Sequence, residues 1–274
     1  MDLRQKVINA NIEVHTRMIE DYESEPHWRP ENITKVKNRI EGILPKQRQK
    51  ALDVGAGTGF LTRMLTPLFD EVYAVDVTQA MLEKIPSADN LKIVISPAET
   101  LPFQENTFDF VCSYSFLHHL YEPQIVLEEM VRVLKPGGLL YVDLEPNKSY
   151  WELMKRLDSS RSFENSSVLL REIRSTVYIE EQIEAIYELP KEVFANAEYS
   201  KSISGGFLID DLENQLVSLG LKTVQVRPDW FLGQGVVMHE KSFELSNSID
   251  EYLRFIFPAS KELFKYIWLT AEKG

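Results

Sequence analysis

An α/β fold organised around a mostly parallel sheet is predicted from three features of the sequence. Residues 51–78 read ALDVGAGTGFLTRMLTPLFDEVYAVDVT, where an apolar run, three glycines, a helical pattern and a second apolar run ending in Asp76 follow one another. Strand, glycine turn, helix, strand and terminal acid make a βαβ unit of about 30 residues, the size of a nucleotide-binding half. Further strand-length apolar runs, separated by helical patterns, continue beyond it. A composition of 44% hydrophobic and 26% charged residues over 274 residues is that of an ordinary globular chain. That length admits one large domain with insertions, or a domain plus a lid.

Charge and cysteine content narrow the function classes. The net charge of -12 opposes long polyanions, and no cluster of Lys and Arg offsets it, so nucleic acid is not an expected partner. Cys112 is the one cysteine, which permits neither an internal disulfide nor a cysteine-rich metal site. It falls in an apolar run and is expected to pack as a small core residue. The start, MDLRQKVINANIEVH, lacks the apolar core of a signal peptide, and no run of 18 apolar residues occurs. A cytoplasmic protein without a membrane span is expected.

Taken in order, residues 1–44 read as two helices. Val7, Ile8, Ile12, Val14, Met18 and Ile19 recur at helical spacing, residues 25–30 (EPHWRP) break the pattern, and Ile33, Val36, Ile40 and Ile43 share one face of 32–44. A strand at 51–54 precedes the glycines, a helix begins at Phe60, and a second strand covers 72–75. Thr78 is a plausible N-cap for a helix over 78–84. Strands follow at 91–95 and 108–113, then a helix at 123–134 and a strand at 139–144. Helices are expected at 149–157, 168–189 and 207–219, the last ended by Gly220. Strands at 221–227 and 265–271 flank an aromatic-rich segment, 247–263, read as helical around Pro258. That segment completes an apolar pocket or forms a homodimer contact; both readings are open at this stage.

The glycine spacing bears on the ligand. It is D-x-G-x-G-x-G, with Phe60 where a dinucleotide fold would carry its third glycine, and no P-loop sequence occurs. Glycine is required where a Cβ would collide with a ligand or where φ is positive. Acids at strand ends lie at the carboxyl edge of a parallel sheet, where such sheets bind ligands. His118 and His119, just past the 108–113 strand, are two of five histidines, and an imidazole can accept a proton near neutral pH. Neighbours on a helix point about 100° apart, so only one of the pair is expected to face the site, and His118 is favoured. No His, Cys or acid set shows ligand spacing, so no metal is expected.

The D-x-G-x-G-x-G run resembles the first motif of the class I S-adenosylmethionine-dependent methyltransferases. Residues 98–103 (AETLPF), 117–119 (LHH) and 129–144 (EMVRVLKPGGLLYVDL) are similar to further segments of the small-molecule branch of that family. The resemblance implies a Rossmann-like seven-stranded sheet of order 3-2-1-4-5-7-6 with strand 7 antiparallel, and S-adenosylmethionine as cofactor. In that reading Asp53 holds the methionine amino group, and Gly55, Ala56, Gly57 and Gly59 pass close to the amino-acid moiety. Asp76 accepts from the ribose hydroxyls, with Val77 beside it. Ala98 and Glu99 lie near the adenine, although Pro97 stands where the family often has an aspartate. Ser113 ends its strand at the cofactor.

Residues 1–48 would form a helical flap whose Tyr22, Trp28 and Arg29 are candidates to line the pocket. Residues 49–146 and 206–274 would be the core, and 147–205 a helical lid. The implied reaction is methyl transfer to a small-molecule acceptor, with O-methylation favoured and N- or C-transfer open; for an O-acceptor, His118 is the candidate base. The N-P-P-Y or D-P-P-Y tetrapeptide of amide and base N-methyltransferases is missing. Rival readings are an NAD-dependent oxidoreductase, which Phe60 opposes, and an inactive cofactor-binding partner protein.

Overall fold

A computed structural model describes residues 2–160 and 167–274. Its seven strands are β1 (Lys50–Val54), β2 (Glu71–Asp76), β3 (Leu91–Ile95), β4 (Phe108–Tyr114), β5 (Leu134–Pro146), β6 (Leu221–Phe231) and β7 (Phe264–Lys273). They form one sheet in the order β3-β2-β1-β4-β5-β7-β6. β1 to β5 pair in parallel, and β7 lies antiparallel between β5 and β6. This is the order expected from the sequence. Chain direction around the sheet reverses between β1 and β4, which opens a crevice beyond their carboxyl ends.

Every residue of β4 is buried because helices cover both faces of the sheet. Alternate residues divide between two cores. Leu52, Val111 and Leu140 join α5 (Pro123–Val133) and α11 (Ile209–Ser218) on one face. Ala51, Phe110, Cys112 and Tyr141 meet Val36 and Ile40 of α2 (Pro30–Gly42) on the other. Fully burying a side chain such as Ile40 or Leu52 contributes about 2–3 kcal/mol, so α2 is fixed to the sheet largely by this stripe.

α2 is also pinned by charge. Lys35 Nζ reaches Asp229 Oδ2 at 2.7 Å, and Arg39 Nη1 reaches Asp143 Oδ2 at 3.1 Å and Asp229 Oδ2 at 3.0 Å. α1 (Leu3–Met18) packs elsewhere. Its Ala10 and Val14 share a separate cluster with Ile183, Leu189, Phe194 and Ala197.

Several elements differ from expectation for identifiable reasons. The helix after the glycines is only α3 (Thr62–Leu65). Pro67 has no N–H to give the Arg63 carbonyl, which accepts from the Thr66 hydroxyl at 3.4 Å instead. Next, α4 (Gln79–Leu82) has Thr78 in the N-cap position, but its side chain makes no capping bond. β5 begins at Leu134, earlier than predicted, because Leu134 pairs with Phe108 before the register shifts toward Phe110.

After α6 (Lys148–Ser160), the single helix expected over 168–189 is two, α7 (Ser167–Val177) and α8 (Ile179–Tyr187). Leu169 and Ile173 pack on α6 whereas Ile183 packs on α1, and one straight helix cannot serve both. α9 (Lys191–Ala197) and α10 (Tyr199–Ser204) follow without having been anticipated. Within the 147–205 insertion, residues 161–166 lie outside the described residues.

The aromatic segment also starts earlier than predicted. α12 (Gln234–Glu240) precedes α13 (Phe243–Phe255), which Ser242 caps by accepting from Leu245 N at 3.0 Å. α13 stops before Pro258 instead of passing through it. Among the described residues, no helix is long and apolar enough to cross a membrane.

Candidate active site

Two adjoining cavities lie at the crevice. The first, about 700 Å³ of free space, is walled by the segments that leave β1, β2, β3 and β4, with Val7, Asn11 and His15 of α1 above it. Gly55 and Gly57 lie on this wall with φ of +71° and +53°. A Cβ at Gly55 would stand 2.1 Å from the Phe116 ring, and one at Gly57 would stand 3.8 Å from the Tyr22 hydroxyl. Asp76 also faces the cavity. Its Oδ2 accepts from Gly57 N at 2.9 Å and its Oδ1 from Thr78 N at 2.8 Å. Two backbone donors thus fix the carboxylate while each oxygen retains a further lone pair for a ligand hydroxyl.

Of the residues expected at the cofactor, Gly55, Gly57, Asp76, Val77, Ala98 and Glu99 line this first cavity, and Tyr22 lines both cavities. Arg4 Nε approaches Glu99 Oε1 at 3.4 Å. Asp53 lies outside both cavities. It is buried behind the glycine turn, where its Oδ2 accepts from the Thr62 hydroxyl at 2.6 Å. Burial pushes its carboxyl up to about 7, against the opposing hydrogen bonds from Thr62. Ala56 and Ser113 are buried and also line neither cavity. A Cβ on Gly59 would meet Ile85 at 2.9 Å, so that glycine serves packing. Trp28 packs edge-on to Phe60 at 5.1 Å under the Arg63 guanidinium, away from both cavities.

The second cavity is larger, with about 1790 Å³ of free space that includes its opening to solvent. Met18, Ile183 and Phe194 form one wall, and Leu144, Trp151 and Trp230 another. His15, Tyr22, Ser115 and His119 line both cavities and so mark where they meet. α13 lines neither, and its Tyr252 and Phe255 are exposed.

His118 and His119 both face the second cavity, contrary to the expectation that only one would. They occupy a tight 3₁₀ turn, Leu117–His119, with ring centroids 4.2 Å apart, so the α-helical angle between neighbours does not apply. His118 Nδ1 pairs with Glu145 Oε2 at 2.8 Å. Glu145 also accepts from the backbone N–H groups of Phe116, Leu117 and His118, at 2.8, 2.8 and 3.1 Å. A neutral His118 that donates from Nδ1 to this carboxylate presents Nε2 as the proton acceptor. His119 Nδ1 lies 2.8 Å from the Ala197 carbonyl. Burial, with His118 beside it, keeps the His119 imidazole well below its ordinary pKa.

Glu198 lies 3.7 Å from His118 Nε2 and 3.6 Å from His119 Nδ1, against the Lys201 ammonium. Burial opposes its ionisation, but Lys201, His119 and His118 together hold it below the usual carboxylate range. No metal-ligand set is visible in the sequence spacing, yet the fold brings ligand atoms of His118, His119 and Glu198 within 4.8 Å of one another. Lys201 already compensates this carboxylate, and the Nδ1 atoms of both histidines have oxygen partners.

Glu145 and Glu198 were missed from sequence. Glu145, two residues after Asp143 near the end of a parallel strand, satisfies the carboxyl-edge rule that drew attention to Asp76. Glu198 carries no such signal, because it reaches the site through the helical insertion.

Residues 52–142, about a third of the chain, match a family described as "Methyltransferase domain". This chain carries a methyltransferase domain. The matched stretch resembles the class I kind, whose cofactor is S-adenosylmethionine.

Similar stretches occur in curated proteins, two of which illustrate the range. Demethylmenaquinone methyltransferase of Staphylococcus aureus (strain MRSA252) is 37% identical over 119 residues, covering 41% of this chain and 49% of that protein. The biotin biosynthesis bifunctional protein BioHC of Cellvibrio japonicus is 38% identical over 105 residues, 36% of this chain and 20% of that protein. The chain thus spans between a fifth and about half the length of these relatives.

Among solved structures, a SAM-dependent methyltransferase from Thermotoga maritima superposes with a TM-score of 0.57 at 15% identity, covering 96% of this chain and all of the other. A Haemonchus contortus phosphoethanolamine N-methyltransferase gives 0.59 at 14% identity, with 100% of this chain and 60% of the other covered. At such identities the likeness shows the fold alone.

The first cavity fits the cofactor of this class. It combines Gly55, where a Cβ would strike the Phe116 ring, and Gly57, held at positive φ, with a carboxylate, Asp76, whose remaining lone pairs can meet hydroxyl donors.

Proposed function

We propose that the chain transfers the methyl group of S-adenosylmethionine to a small-molecule acceptor held in the second cavity. The observation that carries this reading is the shared wall of His15, Tyr22, Ser115 and His119. It allows a donor and an acceptor to occupy adjoining chambers in contact. Asp76 would take the ribose hydroxyls, while Val77, Ala98 and Glu99 would flank the base. Bound there, the cofactor supplies an electrophilic methyl group on a sulfonium.

The protein's own contribution is positioning and exclusion of water, since in-line approach dominates such transfers. An apolar second cavity beneath α1, α8 and α9 supports that role. For a hydroxyl acceptor, His118 Nε2 would take the proton, with Glu145 holding the ring and stabilising its charged form. The cytoplasm is the proposed compartment, and a free small molecule the proposed acceptor.

The test is calorimetric titration with S-adenosylmethionine and S-adenosylhomocysteine, comparing the native chain with Asp76→Ala. Micromolar binding of both, lost in the variant, is expected. Absence of binding, or full binding by Asp76→Ala, would overturn the cofactor placement.

A further inference from the structure

The polar groups around the second cavity point to a chemical class of acceptor. Four carboxylates line it, Glu25, Glu31, Glu172 and Glu198, against three cations, Arg29, Lys201 and Lys265. Lys201 lies against Glu198, and Lys265 lies 3.4 Å from Glu172. Arg29 and Glu31 both contact His239, at 3.2 and 3.1 Å. Glu25 is left over: among the described residues its carboxylate has no ion pair and no side-chain hydrogen bond.

Near Glu25 in the chain is a second unfilled acceptor. Asn32 is buried at 1% exposure and donates both amide protons, to His27 O and the Tyr114 hydroxyl at 2.8 Å each, but its Oδ1 has no partner. Those donations fix which amide atom is the oxygen. Both residues line the cavity.

Among the described residues no cation pairs with Glu25, and Arg29, four residues on, contacts His239 instead. Burial pushes His27 down to about 4, so its ring is neutral at physiological pH. The Glu25 carboxyl is raised by burial first, then by Glu198 and Asp21. Tyr22, on the shared wall, is raised by burial and by the carboxylates of Asp76, Glu25 and Glu198, which places it in a negative field between the chambers.

The half-buried Glu25 carboxylate has no cation beside it, and the buried Asn32 amide oxygen carries a desolvation cost that a hydrogen-bond donor would relieve. An ammonium group meets Glu25 with charge-assisted hydrogen bonds and gains from the aromatic walls. A carboxylate or phosphate would be repelled by Glu25 at this end.

We infer that the acceptor bears an ammonium group, seated against Glu25, with its apolar body in the remainder of the second cavity. This rests on the second cavity being the acceptor site. It identifies a recognition group and leaves the methylated atom to the transfer chemistry.

The experiment uses matched probes that differ only in the head group: tryptamine, tryptophol and indole-3-acetate, and octylamine, octanol and octanoate. Each is titrated into the full chain saturated with S-adenosylhomocysteine. In at least one set, the amine should bind ten-fold or more tightly than its alcohol and its acid. Glu25→Gln should reduce that preference at least ten-fold, and Glu25→Asp should retain most of it. The Glu25 side chain makes no structural bond among the described residues, so the variants should fold, and unchanged S-adenosylhomocysteine affinity checks this.

Equal binding of amine and alcohol, tighter binding of the acids through Lys265 or Arg29, no binding of either amine, or a preference that survives Glu25→Gln would each overturn the inference. Loss of S-adenosylhomocysteine binding by the native chain would instead count against the cofactor reading, so the two failures are distinguishable.

Discussion

A histidine becomes a useful base when something other than substrate decides which nitrogen carries the proton. Glu145 has that position relative to His118, and three backbone amides hold the carboxylate itself. His118→Ala should lower turnover on a hydroxyl acceptor by about 10²–10⁴-fold, with S-adenosylmethionine affinity nearly intact. Glu145→Gln should give a smaller loss with the same pattern. Steady-state kinetics beside calorimetry checks both, and a parallel fall in affinity would make His118 a structural residue.

Asp53 invites a different test at the same scale. Its folded pKa is about 7 against an ordinary 3.8, so folding favours the protonated form. Its contribution is therefore full below pH 3.8 and lost as pH rises through 7. Between pH 5 and 8 the native chain should lose about 2–3 kcal/mol from this group, and Asp53→Asn should lose less by that amount. Urea denaturation at the two pH values measures the difference; identical slopes would refute the buried-acid account.

Among the elements, α2 joins the sheet through a buried ionic cluster as well as an apolar stripe. Asp229 lies under Lys35 and Arg39, and Asp143 under Arg39. Burial opposes ionisation of Asp229, but the two cations hold its carboxyl below the usual range. Its contribution is thus present above the unfolded carboxylate pKa and lost as pH falls below about 4. Removing one member of a buried pair strands the other, so Asp229→Ala should cost about 3–5 kcal/mol. Thermal or urea unfolding at pH 7 checks this, and a cost under 1 kcal/mol would mean that the cations find water.

Elements of this kind also show what is legible in a sequence. β3 and the βαβ unit were readable because strand periodicity, glycine spacing and a terminal acid are local signals. The break at Tyr178 was not, because α7 and α8 separate only when α6 and α1 offer different surfaces. The site divides in the same way. Gly55, Gly57 and Asp76 were visible as a motif, while Asp53 reads identically in the motif and lies behind the turn. The meeting of His118, Glu145 and Glu198 depends on β5 and a distant helix, which no spacing rule reaches.

Across the whole molecule, the sheet and the cover over its crevice are stabilised separately. The sheet lies between two large apolar cores, whereas α1 packs through Ala10 and Val14 on α8 and α9. Beyond that cluster, α1 is held by surface pairs such as Lys6–Glu192 and by Asn11 Nδ2 donating to His119 O at 3.2 Å. Exposed pairs contribute little, about 0–1 kcal/mol each. Because α1 also walls the first cavity, a bulky cofactor enters and leaves most easily if this cover opens while the sheet stays intact. Amides of α1 should then exchange with solvent much faster than those of β1 and β4 in the free protein. S-adenosylhomocysteine should slow exchange in α1 by at least ten-fold while leaving the central strands unchanged. Hydrogen exchange read by mass spectrometry tests this directly. Protection of α1 equal to that of β4 before ligand is added would mean that cover and sheet open as one unit, and entry would require another route.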